Sequence, residues 1–283
     1  MIKLAAFADE SDPSFDGQIS ALKRNGIEYI ELRGLDGVNI SKITEEQAKN
    51  YASRLKKEGL KVWSLGSPIG KIKITDDLDA HLENLEHICR LANIFETDKI
   101  RMFSFYEAYG EEGTVISTLG KMVKLADSYG VRLYHENEKK IFGDTLERVL
   151  LISKAVEGLG LIYDPANFIE VGEDPEKTLS ALHGISEYFH IKDAVAETGE
   201  IVPAGCGDGM INELVRKIGN TDKVLTLEPH LKVFKGYSEI DGSDLKHRYH
   251  YESNEEAFDA AASAIKSVLE AEGYRYVDGG YVK

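Results

Sequence analysis

Cysteine is scarce. Cys89 and Cys206 are the only two, far apart and in no CxxC spacing, which excludes a disulfide framework and a thiolate zinc site. Long apolar runs are missing as well: no stretch approaches the roughly 18 residues a membrane helix needs. The opening MIKLAAFADE carries one lysine and then an acidic pair, with too short an apolar run for a secretory signal. Positive charge is in short supply, with 34 Lys plus Arg against 49 Asp plus Glu and a formal net charge of −15. Without a local basic stripe, such a chain is repelled by a polyphosphate backbone. These absences predict a cytoplasmic protein acting on a small molecule, with neither nucleic acid nor membrane as partner.

What is present is a globular composition, 42% hydrophobic and 29% charged over 283 residues. Short β-rich runs alternate with longer helical patterns. The candidate strands are Ile2–Phe7, Tyr29–Arg33, Lys61–Leu65, Lys99–Phe105, Val131–Glu136, Leu161–Asp164, Tyr188–Lys192 and Val224–Glu228. Between them, Phe15, Ile19 and Leu22 recur at helical spacing before Asn25-Gly26. Thr44-Glu45-Glu46-Gln47 reads as a capping box, and Leu82, Leu85, Ile88 and Leu91 share one face of a third helix. Further helices are expected at 115–129, 146–156, 174–182, 210–218 and 256–270.

Strand–helix alternation implies parallel pairing through right-handed crossovers. Eight units with no Pro- or Gly-rich linker favour a single α/β domain over residues 1–283. The expected architecture is one closed (β/α)8 TIM barrel rather than two doubly wound domains. Leu231–Ser253 breaks the even spacing after the eighth strand. A long loop there lies over the barrel mouth and is a candidate lid.

Side chains of barrel strands alternate between the interior and the helix layer. With Ile30, Leu32, Leu133, His135, Phe189, Ile191, Leu225 and Leu227 outward, Glu31, Arg33, Arg132, Tyr134, Glu136, His190, Lys192, Thr226 and Glu228 point inward. Asp164 is in phase with Ile162. Glu136, Asp164, His190 and Glu228 therefore end four consecutive strands at the carboxyl face, where such barrels place their active sites. Three converging carboxylates repel one another unless a cation sits among them. One imidazole with three carboxylates suits Mn²⁺, Mg²⁺, Co²⁺ or Zn²⁺. A single strand ending this way is ordinarily a loop hydrogen-bonder; four in succession are much harder to explain so.

The segments Leu133-Tyr-His-Glu-Asn137, Tyr163-Asp-Pro-Ala-Asn167, His190-Ile-Lys-Asp193 and Leu227-Glu-Pro-His230 resemble the strand-end motifs of the xylose isomerase-like barrel superfamily. That superfamily includes sugar isomerases and epimerases, inosose dehydratases and endonuclease IV. The ligand pattern is most similar to that of the ketose 3-epimerases. The resemblance implies one divalent ion on Glu136, Asp164, His190 and Glu228, with Glu136 and Glu228 doubling as acid and base around an enediolate. It implies a carbohydrate-metabolism isomerase or epimerase, with an inosose-type dehydratase or a non-catalytic sugar-binding barrel as alternatives. There are departures: Asn167 replaces a histidine of the family, Phe142 a glutamate and Ala196 an arginine. The missing histidines and the net charge of −15 also speak against the endonuclease.

Other residues carry two readings each. Lys192 binds a substrate oxygen or pairs with Asp164 or Glu228. Arg33 and Arg101 clamp an anionic group or pair with Glu31 inside the barrel. Asn167 and His230 are candidate substrate contacts, and Trp63, Tyr106, Tyr109 and Tyr237 are candidates for stacking on a sugar ring. Gly205-Cys-Gly-Asp-Gly209 cradles an anion or makes an ordinary turn. Cys206 is expected to pack, and His81 and His87 to lie on a helix surface. Barrels of this kind often form homo-oligomers, but no interface signature is visible.

Overall fold

The structure, a computed structural model, describes residues 1–234 and 248–283. Eight strands form its centre: β1 (Ile2–Ala6), β2 (Tyr29–Leu32), β3 (Lys61–Gly66), β4 (Lys99–Met102), β5 (Arg132–Glu136), β6 (Gly160–Tyr163), β7 (Tyr188–Ile191) and β8 (Lys223–Leu227). Each runs parallel to the next. β8 pairs back onto β1, from Ile2 opposite Lys223 to Ala6 opposite Leu227, and closes the barrel.

Among the described residues the α-helices are α1 (Phe15–Arg24), α2 (Glu45–Lys57), α3 (Leu78–Ile94), α4 (Glu112–Ser128), α5 (Leu146–Ala155), α6 (Pro165–Glu170), α7 (Pro175–Leu182), α8 (Ile211–Ile218) and α9 (Asn254–Ala271). The expected capping box forms at α2. The Gln47 amide donates to the Thr44 hydroxyl at 3.2 Å, and the Thr44 amide donates to the Gln47 side chain at 2.8 Å. The apolar helix faces and the outward strand residues make one continuous core.

A smaller apolar plug of Ala5, Tyr134, Ile162, Tyr188 and Val224 fills the barrel interior. Tyr29 and Trp63 pack against it. Two residues further along their strands, Tyr134 gives way to Glu136, Ile162 to Asp164, Tyr188 to His190 and Val224 to Thr226. Polar groups are thus raised on an apolar floor toward the carboxyl rim.

Three features depart from the expectations. β4 ends at Met102, and the chain turns out of the barrel through Phe105 at φ 73°. Helix α6 starts directly after β6, because Asp164 caps it and Pro165 fits its first turn. A terminal hairpin, β9 (Arg275–Val277) and β10 (Gly280–Val282), turns at Asp278-Gly279 and sets Tyr281 antiparallel to Ile2. Of the expected lid at Leu231–Ser253, residues 235–247, including Tyr237, lie outside the described residues. Its near end is anchored by buried Leu231 and Phe234.

Gly70 is required by close approach. At φ 88° a side chain is disfavoured, and a Cβ there would meet the Phe103 carbonyl oxygen at 2.1 Å. The Gly70 amide donates to Nε2 of His81 at 2.9 Å. His81 is therefore buried and holds a loop, contrary to the expected surface position.

Candidate metal and acid–base site

Glu136 ends β5, Asp164 follows β6, His190 lies in β7 and Glu228 follows β8. One potential ligand atom from each falls within 4.8 Å of the others, and all four residues are buried. His190 Nδ1 is 2.8 Å from Glu136 Oε1 and 3.1 Å from Glu228 Oε2. Asn137 fixes the first two ends to each other: its side chain donates to the Asp164 carbonyl at 2.8 Å and accepts from the Asp164 amide at 2.9 Å. Sequence reasoning gave Asn137 no such role, although it sits inside the quoted strand-end motif.

Cations surround the quartet. Lys192 Nζ is 3.1 Å from Asp164 Oδ2 and donates to Asn167 Oδ1 at 2.7 Å. Arg101 Nη1 is 3.2 Å from Glu136 Oε2 and 3.5 Å from Glu228 Oε1. Arg33 donates to Asp9, to Glu10 at 3.1 Å and to Glu228 Oε1 at 2.9 Å. The interior ion-pair reading of these arginines is thus the geometry found, but Glu31 is not the hydrogen-bonding partner of either. Glu31 instead faces His190 and Tyr188. Cations and rings alternate across the mouth: Phe234, Arg33, Phe7, Arg101, Phe103 and Lys71, with each cation 4.4 to 5.0 Å from its neighbouring ring centroids. Arg33, Arg101, Lys71, Phe103 and Phe234 also line a cleft of about 240 Å³.

Burial is the first influence on Asp164, Glu10, Glu228 and His190. It pushes Asp164 up to about 7, against the pull of Lys192. It pushes Glu10 up to about 8, against Arg33. Burial disfavours the charged form of Glu228 too, but Lys192 and His190 outweigh it and hold that carboxyl well below its ordinary value. His190 is raised well above the usual imidazole range, because Glu136, Glu31 and Glu228 overcome its burial.

The donor set fits a divalent cation. Asp164 Oδ2 and Glu228 Oε2 are buried carboxylate oxygens without a well-aligned hydrogen bond; their charged neighbours Lys192 and His190 stand at 3.1 Å. Such atoms are costly unless something else meets them. Both lie within the quartet, and a cation there meets both while reducing the carboxylate repulsion. A second group, Glu10, Glu228 and His230, also converges. There the Arg33 guanidinium already stands between Glu10 and Glu228. His230 Nε2 lies 3.4 Å from Glu10 Oε1, and the His230 amide donates to Glu10 Oε2 at 2.8 Å.

Other expectations resolve differently. Trp63 packs edge-on to Tyr29 and Tyr188 against the barrel floor, away from the mouth. The glycine loop offers no open anion cradle, because the chain's own Asp193 fills it. Its carboxylate accepts from the amides of Gly205 at 2.8 Å, Gly207 at 3.0 Å and Gly209 at 2.9 Å. Cys206 in that loop is exposed rather than packed.

A closed parallel barrel with acidic and histidine side chains gathered on its carboxyl rim defines a class of metal-competent (β/α)8 proteins. The family described as a xylose isomerase-like TIM barrel matches residues 19–267, and this chain belongs to it. It is 23% identical over 239 residues to the 3-dehydroshikimate dehydratase of Bacillus anthracis, covering 76% of this chain and 85% of that one. The IolI protein, solved with a zinc atom bound, superposes with a TM-score of 0.73 at 16% identity over 95% of this chain and 99% of the other. An L-ribulose 3-epimerase gives 0.72 at 16% identity over 96% of both chains. Likenesses to solved structures at this identity establish the fold. Among the described residues, no helix is long and apolar enough to cross a membrane.

Proposed function

We propose that this protein is a divalent-metal-dependent sugar isomerase or epimerase that moves a proton at a carbon beside a carbonyl. The observation that carries this reading is the shared geometry of Glu136 and Glu228. Each turns one oxygen to His190 and the other to Arg101. Two carboxylates thus flank one small space, the arrangement needed to remove a proton from one face of a carbon and return one to the other.

Glu136, Asp164, His190 and Glu228 would hold the ion, which supplies Lewis acidity to a substrate carbonyl and the adjacent hydroxyl. Arg101 keeps the outer oxygens of both glutamates oriented. Lys192 and Asn167 stand beside Asp164, where they can donate to substrate oxygens. The cleft beside Arg33 and Lys71 gives the remainder of a small polyhydroxylated substrate a place to lie. Arg33, Arg101 and His230 act as substrate contacts in this reading.

A second reading is dehydration, supported by the dehydratase named among the relatives. The same proton abstraction would then expel a β-hydroxyl.

The test is incubation with Mn²⁺ and a panel of ketoses, aldoses, inososes, their phosphates and 3-dehydroshikimate in D₂O, followed by NMR. Deuterium at a carbon next to the carbonyl together with an epimer or aldose–ketose pair supports the first reading. Net loss of water supports the second. Glu136→Gln and Glu228→Gln should each lower turnover at least about 100-fold. Turnover unaffected by chelator and by both substitutions would remove the proposal.

A further inference from the structure

Glu31 is a buried carboxylate that the acid–base chemistry leaves unused. It lies in β2, is 1% exposed, and shares the barrel interior with His190 and Tyr188. Its Oε2 is 3.3 Å from His190 Nε2. Its other oxygen accepts from the Tyr188 hydroxyl at 3.2 Å, and that hydroxyl lies 3.3 Å from Ser64 Oγ. A chain of buried polar groups therefore runs from the barrel wall to the far side of the imidazole.

The orientation of that imidazole matters. Nδ1 faces Glu136 and Glu228, while Nε2 faces Glu31. A histidine that ligates through Nδ1 must present its lone pair there and carry its proton on Nε2. A neutral imidazole has two tautomers of similar energy, and an acceptor placed at Nε2 selects the required one. A carboxylate acceptor also raises the basicity of the ligating nitrogen. Arg101 feels the charge of Glu31 but donates its hydrogen bonds to Glu136 and to the Gly66 carbonyl, so the direct contacts of Glu31 are with His190 and Tyr188.

We propose that Glu31 is a positioning residue that holds His190 with its proton on Nε2 and turns Nδ1 toward the metal-binding quartet. This rests on the metal reading above, and the experiment separates the two. Zn²⁺ affinity is measured by competition with a chromophoric chelator for wild type, Glu31→Gln, Glu31→Ala and Asp164→Asn. The histidine ring nitrogens are followed by ¹⁵N-edited NMR with and without zinc. Circular dichroism and thermal unfolding verify that each variant is folded.

The expected result is that Glu31→Ala weakens Zn²⁺ binding about 10- to 100-fold and loses the hydrogen-bonded Nε2 proton of His190. Glu31→Gln, which keeps an acceptor oxygen of the same shape, should retain the proton signal and lose less affinity. Wild-type affinity in both Glu31 variants, with the Nε2 proton unchanged, would overturn the proposal. Should the wild-type protein bind no zinc, the metal reading fails independently. The Nε2 proton of the metal-free protein then decides: its loss in Glu31→Ala supports the positioning role, and its persistence overturns it.

Discussion

Lys192 Nζ stands 3.1 Å from Asp164 Oδ2, yet that oxygen receives no well-aligned hydrogen bond. The ammonium offsets the charge of Asp164 without satisfying its lone pair. Removing it leaves a buried carboxylate held only by the Asn167 amide on its other oxygen, and breaking such a buried pair costs about 3–5 kcal/mol. A divalent ion held by the quartet would lie close to the same oxygen and offset the loss. Lys192→Ala should therefore melt well below wild type when metal-free and gain more from Mn²⁺ than wild type does. Differential scanning calorimetry with and without the ion measures both. Equal metal-induced gains in the two proteins would show that Lys192 and the ion do not share Asp164.

The same site sets a pH dependence. Asp164 and Glu10 are raised to about 7 and about 8, with burial the leading cause in both. A carboxyl that holds its proton more tightly in the fold than in the unfolded chain stabilises the fold while protonated. That contribution is lost as pH climbs through the folded value. Buried His135, pushed down to about 3 by desolvation, works the other way. It costs stability below the ordinary imidazole value and has no further effect above it. Glu228 loses its contribution only in acid, on falling through its depressed value. From about pH 6.5 to about pH 8 the raised carboxyls and the raised His190 therefore act in the same direction. The metal-free protein should melt lower across that interval, and Mn²⁺ should raise the midpoint more at the upper end. A midpoint that climbs with pH would contradict the assignment.

How far the sequence alone reaches can be seen residue by residue. The inward phases of Glu31, Arg33, Glu136, His190, Lys192 and Glu228 were legible, because large apolar residues at alternate positions leave one choice of face. The convergence of the quartet followed from that phase and from parallel pairing. Partner choice was legible for Lys192, which pairs with Asp164, but not for Arg33. Asp9 and Glu10 sit just past β1 with no periodicity, so nothing local says that Arg33 will take them instead of Glu31. His81 has the spacing of a helix residue, and its burial depends on the course of the Gly70 loop. Two signals were present and unread: Asp164-Pro165 as a helix start, and Asp278-Gly279 between Tyr-Val pairs as a hairpin. A strict strand–helix alternation gives neither a place.

The glycine loop after β7 provides a stability test independent of the metal. Asp193 accepts four backbone amides, those of Ala194, Gly205, Gly207 and Gly209. The loop closes so tightly that a Cβ at Gly207 would lie 2.5 Å from the Asp193 carboxylate. Asp193→Ala strips the acceptor from the buried amides of Ala194 and Gly209 and from the partly exposed ones of Gly205 and Gly207, and each buried donor left unsatisfied costs about 1–3 kcal/mol. A total loss of about 1–3 kcal/mol is expected by urea unfolding. Asp193→Asn keeps one acceptor oxygen and should lose less. Equal stability of Asp193→Ala and wild type would mean that water replaces the carboxylate at no cost.

The two thiols should separate cleanly in reactivity. Cys89 faces the core from α3 with no exposed surface, and burial pushes its thiol up to about 12. The thiolate is the reacting form, so Cys89 is protected both by access and by protonation. Cys206 lies exposed in the glycine loop. An aromatic disulfide reagent at neutral pH should release one equivalent of chromophore from the folded protein and a second only on unfolding. Cys206→Ser should abolish the first release and leave the second. Two fast equivalents from the native protein would place Cys89 at the surface and require α3 to sit differently on the barrel.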